Sequence, residues 1–362
     1  MPCAARPRKT IATDPNARYR LRYSRAMFAR VNVPARPASS LALVWYAIAL
    51  VAVMASALLI GSTEVDWRAF LAGDRTARAI VLDLRAPRVL LAALTGAGLS
   101  VAGAMMQAMF RNPLADPALI GVSSGAALGA ILAIVLGLGG LESQSLLGLP
   151  ALPLAAFAGA LATTGLLFAF ARSDTVAGLL LAGVAFNSLA GAAIGALTWL
   201  ADDGHLRNLT FWLLGSFGGA NWPLIAAVAP LLSLPVLVAP RLARALNALL
   251  LGEIEAGYLG FSVSRLKLVL VLLTALAVGA AVAAAGVIGF VGLVMPHIAR
   301  RVSGPDHRIV LPASALLGAT LSTAADLAAR TWVAPAELPV GVLLAAFGAP
   351  AFLWLLKRQE QR

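Results

Sequence analysis

Uncharged apolar runs long enough to cross a bilayer dominate this chain. Residues 41–61 alone form a stretch of twenty-one without a charge, and about 20 suffice for a helix to span a ~30 Å hydrocarbon layer. In lipid every backbone polar group needs an internal partner, so only helices and closed barrels can cross. The short alternating segments that build a barrel are missing from the sequence. A composition of 60% hydrophobic and 12% charged residues, with mean hydropathy +0.87, agrees with helices. The chain therefore reads as an all-α polytopic membrane protein.

The runs place spans at 41–61, 89–110, 116–141, 152–171 and 175–201, with a polar outer segment at 62–88. After the polar patch at 202–207, the long uncharged run 208–240 divides into a short outer helix, about 209–217, and a span, about 222–240. The run 268–299 decides the topology. Arg265 and Lys267 precede it, and Arg300 and Arg301 follow it. Basic flanks stay in the cytoplasm, so an even number of crossings lies between them. The run is therefore a two-helix hairpin, with Gly286 and Gly289 offering the bend. Spans at 309–329 and 338–356 complete ten, with both termini cytoplasmic. Arg111, Arg172, Arg241 and Arg244 fall inside on the same count.

The net charge of +12 suggests a nucleic-acid partner until its distribution is inspected. Residues 1–40 hold nine Lys/Arg against Asp14 alone, and the rest of the chain carries only +4. A basic arm beside the first span suits anionic lipid in the cytoplasmic leaflet. Residues 1–38 are expected to be a mostly disordered cytoplasmic arm, and 39–358 the transmembrane domain. The single cysteine, Cys3, excludes a disulfide and a cysteine metal cluster. No G-x-x-x-x-G-K-[S/T] loop is present, so the chain has no recognisable site for hydrolysing ATP. No permanently bound cofactor or metal is expected.

Residues 111–125 form a polar seam between two apolar runs. Asp116 can accept from the first free N–H groups of the next helix, and Pro117 suits a first helical position. Gly121, Gly125 and Gly129 then recur every four residues on one helical face, which lets another helix approach closely.

Asp326 is the main ionisable group within a span. Its i,i+4 neighbour Arg330 makes a helix-end pair the simpler reading, against a proton relay. The inner stretch 247–260 looks like two short helices broken at Gly252 and ended at Gly260. Leu249, Leu250, Ile254, Tyr258 and Leu259 give it apolar contacts, while Glu253 and Glu255 are acids on a basic side. A solvated loop and a docking element both fit these residues. On the outer face, Arg85, Arg88 and Arg330 can pair with Asp83 and Glu337, or meet acids of a docking protein. His205 and Arg207 sit at an outer mouth. Met295-Pro296-His297 reads as a helix end rather than a ligand pair, and Met105, Met106 and Met109 as packing in span two.

Several motifs resemble those of the iron-siderophore/haem/vitamin B12 ABC importer permeases. They are Arg-Ala-Pro-Arg at 85–88, Arg-Asn-Pro-Leu-Ala-Asp-Pro at 111–117 and Leu-Gly-Glu…Leu-Gly across 251–260. Three more are Gly-Phe-Val-Gly-Leu-Val-Met-Pro-His-Ile-Ala-Arg at 289–300, Glu-Leu-Pro-Val-Gly at 337–341 and Gly-Ala-Pro at 348–350. The resemblance covers about 40–358 and implies a type II importer permease in a bacterial inner membrane. It implies a homodimer, two cytoplasmic ATPase subunits that carry ATP and Mg, and a periplasmic binding protein. By the same resemblance, Arg85, Arg88 and Arg330 meet glutamates of the binding protein. Leu251, Gly252, Glu253, Glu255, Ala256, Leu259 and Gly260 belong to helices that dock the ATPase. The stretches 116–125 and 207–216 look most like haem permeases, which makes haem the expected substrate and a haem-binding protein the expected partner. Ferric siderophore and cobalamin are the alternatives, with His205 and Arg207 as candidate substrate-mouth residues. A proton-coupled carrier acting alone is the competing class, and it needs more membrane-buried acids than Asp326.

Overall fold

Helix after helix follows from the apolar runs, in a computed structural model that describes residues 37–136, 151–170 and 176–360. All of these except Pro37 belong to one compact unit. The basic arm through residue 36, the expected end of span three at 141, and the turn at Arg172 and Asp174 lie outside the described residues. Helix α1 spans Pro37–Leu59, and α2, Trp67–Ala72, begins at Asp66, whose carboxylate accepts from the N–H groups of Arg68 and Ala69. Helix α3, Arg75–Ala79, runs through a π-helical turn, Ile80–Arg85, into α4, Ala86–Met109. The expected polar outer segment is thus largely helical, because Asp66 and Asp74 each cap a helix start.

Helix α4 is the hub of the fold. It packs against the helices that follow the 200s, and Met105, Met106 and Met109 are fully buried in it, filling the core as their flexible side chains allow. After the seam, Pro117–Ile120 forms a 3-10 turn, capped by Asp116 through the N–H of Ala118 at 2.8 Å. The regular helix α5, Val122–Val135, starts only after Gly121 adopts φ +82. Asp116 and Pro117 therefore begin a turn rather than the span itself. Helix α6, Ala151–Phe170, lies along the glycine face of α5. A Cβ on Gly125 would sit 2.0 Å from Thr163 Oγ1, and one on Gly129 2.2 Å from the Ala155 carbonyl. The small residues are what lets the two backbones touch.

Helix α7, Val176–Leu200, is followed by α8, Asp203–Leu213. The outer helix thus starts earlier than 209, because the Asp202 side chain accepts from the His205 N–H at 2.8 Å. Helix α9, Trp222–Val238, leads through a 3-10 turn to α10, Ala243–Leu251, and α11, Glu253–Tyr258. The run expected to form a hairpin does divide, into α12, Val263–Ala285, and α13, Val291–Ser303. Gly286 (φ +72) supplies the first bend as expected; the second is at Phe290 (φ +67), not Gly289. Helices α14, His307–Thr331, and α15, Val340–Glu360, end the described chain.

Seven of these helical stretches are long and apolar enough to cross a membrane. The two shorter apolar helices are α5 and the first part of α15. Helix α13 is shorter still and buries Val291, Val294, Met295, Pro296, His297 and Ala299.

Candidate functional site

Two polar clusters lie at opposite ends of the bundle, and neither contains catalytic chemistry. The first joins the start of α4 to the end of α14. Asp326 is fully buried and accepts from Arg88 Nε at 2.8 and 3.1 Å. Arg88 Nη1 also donates to Glu337 Oε1 at 2.8 Å. The i,i+4 partner Arg330 stands farther off, its Nε 3.7 Å from Asp326 Oδ2, and its Nη2 donates to the Ala57 carbonyl. The expected helix-end pair with Arg330 is therefore present, and Asp326 gains a second, closer partner across the bundle in Arg88. The reason is reach: Arg88 Nε lies between both carboxylate oxygens, whereas Arg330 shares the helix and its Nη2 is drawn toward α1.

Arg85 does not pair with Asp83. Its guanidinium donates to the carbonyls of Leu58 and Leu59, each at 2.8 Å, and of Thr63. Those carbonyls belong to the C-terminal end of α1 and the loop after it, where orphan acceptors await a donor. Only 5% of Arg85 and 4% of Arg330 is exposed. The three outer arginines are therefore brought together as one internal network that locks α1, α4 and α14. His205 stays local: its Nδ1 is 3.1 Å from Asp202 Oδ1 in the first turn of α8. The Arg207 guanidinium lies 5.8 Å over the Phe211 ring, one turn on.

The second cluster surrounds α10 and α11. Gly252 adopts φ +141, a conformation that L side chains avoid, and so makes the elbow between them. Gly260 (φ +90) ends the pair. At the elbow, Leu251, Ile254 and Tyr258 are exposed, Tyr258 to 87%. Ala256 is buried, Leu259 is partly exposed, and Glu253 turns inward to the buried Lys267 at 2.7 Å. Glu255 folds back toward Gly252.

Sequence reasoning missed what holds this elbow to the rest of the bundle. Asn247 Nδ2 donates to Asp306 Oδ1 at 2.7 Å, which turns Asn247 Oδ1 toward His307. That oxygen accepts from the His307 backbone N–H at 3.0 Å and lies 2.8 Å from Nδ1. Asp306 also caps α14 through the Arg308 N–H at 2.9 Å. Burial disfavours the Asp306 charge, but these two hydrogen bonds, with the nearby Arg308 and His307, outweigh it and hold the carboxyl below its usual range. The signal available was Asp306 itself, an N-cap residue directly before an apolar run. Beside this joint, Arg300 donates to Gln107 Oε1, and Gln107 Nε2 donates to the Leu293 carbonyl at 3.1 Å. The C-terminal end of α4 is thereby tied to α13.

The arrangement clamps helices at one end and presents an apolar elbow at the other. Comparison with known proteins identifies the family. The model of the FecCD transport family matches residues 48–358. The hemin transport system permease protein HmuU of Yersinia pestis is 50% identical over 78% of this chain and 84% of its own length. The vitamin B12 import system permease protein BtuC of Escherichia coli is 45% identical over the same shares. A metal-chelate type ABC transporter in an inward-facing conformation superposes with TM-score 0.78 at 32% identity, covering 87% of this chain and 98% of that one. In such systems ATP hydrolysis belongs to a partner subunit, and a substrate-binding protein is implied. This chain belongs to the FecCD transport family and is a multi-pass ABC importer permease, not an enzyme.

Proposed function

We propose that this chain carries haem across the bacterial inner membrane, as one of two identical permease subunits. The supporting observation is the 50% identity to a hemin permease over 84% of that protein's length. On this reading the seven long helices, with α5, α13 and α15, make ten crossings, and both termini are cytoplasmic. The basic flanks of α12 and α13 argue for that sidedness. Two ATPase subunits bind the elbow of α10 and α11, and a periplasmic haem-binding protein sits on the opposite end. Substrate crosses between the two permeases.

At the outer end, Arg88 contributes to docking beside the exposed Glu337, and the buried Arg85 and Arg330 hold that surface from within. Glu337, 42% exposed at its side chain, holds one Arg88 donor that an acid of the binding protein would compete for. Replacing Glu337 with Gln should therefore tighten docking modestly. Reversing all three arginines to Glu should abolish it, together with the local fold that they hold. His205 and Arg207 lie on an outer helix where an entering substrate would pass.

Cobalamin is the second reading, favoured by the 45% identity to BtuC. Proteoliposomes holding the permease, its ATPase and its binding protein separate these. Haem uptake that needs ATP, and that cobalamin or a ferric siderophore does not inhibit, is the expected result. Uptake driven by a proton gradient without the ATPase would contradict the importer reading altogether.

A further inference from the structure

Between the end of α9 and the start of α12 lies an open groove of about 370 Å³. Arg241, Arg244 and Arg265 line it, with Leu242, Phe261 and Val269 among its apolar walls. All three arginines are exposed, and none forms an ion pair among the described residues. Arg241 Nη1 donates to the Leu237 carbonyl at 2.5 Å, which leaves its other donors unspent. Of the two nearest acids in sequence, Glu253 is taken up by Lys267 and Glu255 folds back toward Gly252. Three cations converge here without a counter-ion among the described residues.

Two further features point to what fills the groove. The N-cap residue of α12, Ser262, lines it and makes no side-chain cap bond, so the positive end of a 23-residue helix faces the same space. The groove also continues into apolar surface along both helices. Leu237 on α9 is 64% exposed, and Leu268 and Leu272 on α12 are likewise exposed. Cations at the mouth and exposed leucines beyond it match a molecule with an anionic head and hydrocarbon tails.

We infer that Arg241, Arg244 and Arg265 form a site for the headgroup of an anionic phospholipid of the cytoplasmic leaflet, whose acyl chains lie along α9 and α12. Basic pockets between membrane helices on the cytoplasmic side recognise such headgroups. The inference rests on the sidedness proposed above, which puts the groove beside the elbow of α10 and α11. The lipid would brace that elbow from its membrane side: Arg241 and Arg244 flank the start of α10, and Arg265 begins α12. ATP-driven transport would then depend on anionic lipid even though substrate never touches it.

The test is lipid retention by the purified permease–ATPase complex, measured by native mass spectrometry after exchange into detergent with added lipid. Phosphatidylglycerol and cardiolipin should be retained in preference to phosphatidylcholine, and R241Q/R244Q/R265Q should weaken retention on the order of a hundredfold. Single variants R244Q and R265Q, each expected to weaken it several-fold, serve if the triple variant does not fold. Inorganic phosphate at millimolar concentration should not displace the lipid, because the acyl chains contribute most of the binding. Full displacement by phosphate would make this a free-anion site and overturn the lipid assignment. Equal retention by wild type and variants would overturn it too, as would loss of the ATPase with lipid retention unchanged. Haem uptake by the wild type is measured separately, so failure of the haem reading leaves this outcome distinct.

Discussion

The two ends of the bundle handle charge in opposite ways. At the end where α4 begins, Arg85, Asp326 and Arg330 are buried and Arg88 nearly so, and their charges are met by one another, by backbone carbonyls and, for Arg88, by the half-exposed Glu337. At the inner end the pattern splits: Glu253 and Lys267 pair, and Asn247 bridges Asp306 and His307, yet Leu251, Ile254 and Tyr258 stand in the open. Buried charges paired chiefly with internal groups describe a clamp. Exposed large apolar side chains on a short, glycine-hinged elbow describe a surface kept for a partner. The arginine network ties α1, α4 and α14 together, and the elbow is, on the proposed reading, where the ATPase would hold.

The sharpest way to break this contrast is to remove the anion at the centre of the clamp. Asp326→Ala leaves Arg330 without a carboxylate and Arg88 with only Glu337, and should cost about 3–5 kcal/mol in thermal unfolding of the detergent-solubilised protein. Breaking the inner joint should cost less. Asn247→Ala strands the Asp306 and His307 groups and should destabilise by about 1–3 kcal/mol, while lowering transport per ATP hydrolysed because the elbow loosens from α14. A third variant tests burial itself, since Glu337 meets the same arginine as Asp326 from an exposed position. Glu337→Gln should shift unfolding by less than about 1 kcal/mol. An equal loss for Asp326 and Glu337 variants would mean that the outer network is not a buried clamp.

The smallest effect concerns pH. Asp306 is held below the ordinary carboxylate value of about 3.9. Its stabilising contribution is complete above that value and is lost as pH falls through the lower, folded-state value. Comparing unfolding of wild type and Asp306→Asn from about pH 7 to about pH 3 should show the gap between them narrowing at the acid end. A gap that stays constant would place the Asp306 hydrogen bonds elsewhere.

How much of this was legible in the sequence depended on the range of the interaction. Local signals carried well. Gly121, Gly125 and Gly129 announced a close helix contact, and Gly252 and Gly260 bounded the elbow, because each requirement lies within a few residues. Charge bias split 268–299 into two helices, although the second bend fell at Phe290, where nothing in the side chain favours a positive φ. Helix starts were missed where an aspartate cap stood inside a segment read as a polar loop, as at Asp66, Asp74 and Asp202. Pairing was least legible. Asp326 has an arginine four residues away, so the sequence points to Arg330, yet the partner at 2.8 Å is Arg88, brought in by helix packing. The Asn247–His307 joint is equally non-local, and only its cap, Asp306, left a trace.

The contrast between the ends meets its most direct test in retention of the partner ATPase. The variant L251D/I254D/Y258D changes only exposed side chains, so its unfolding should stay within about 1.5 kcal/mol of wild type, about 0.5 for each substitution. It should nevertheless lose the ATPase on affinity purification, while Asp326→Asn retains it. A folded triple variant that still holds the ATPase at the wild-type level would contradict the role given to the elbow.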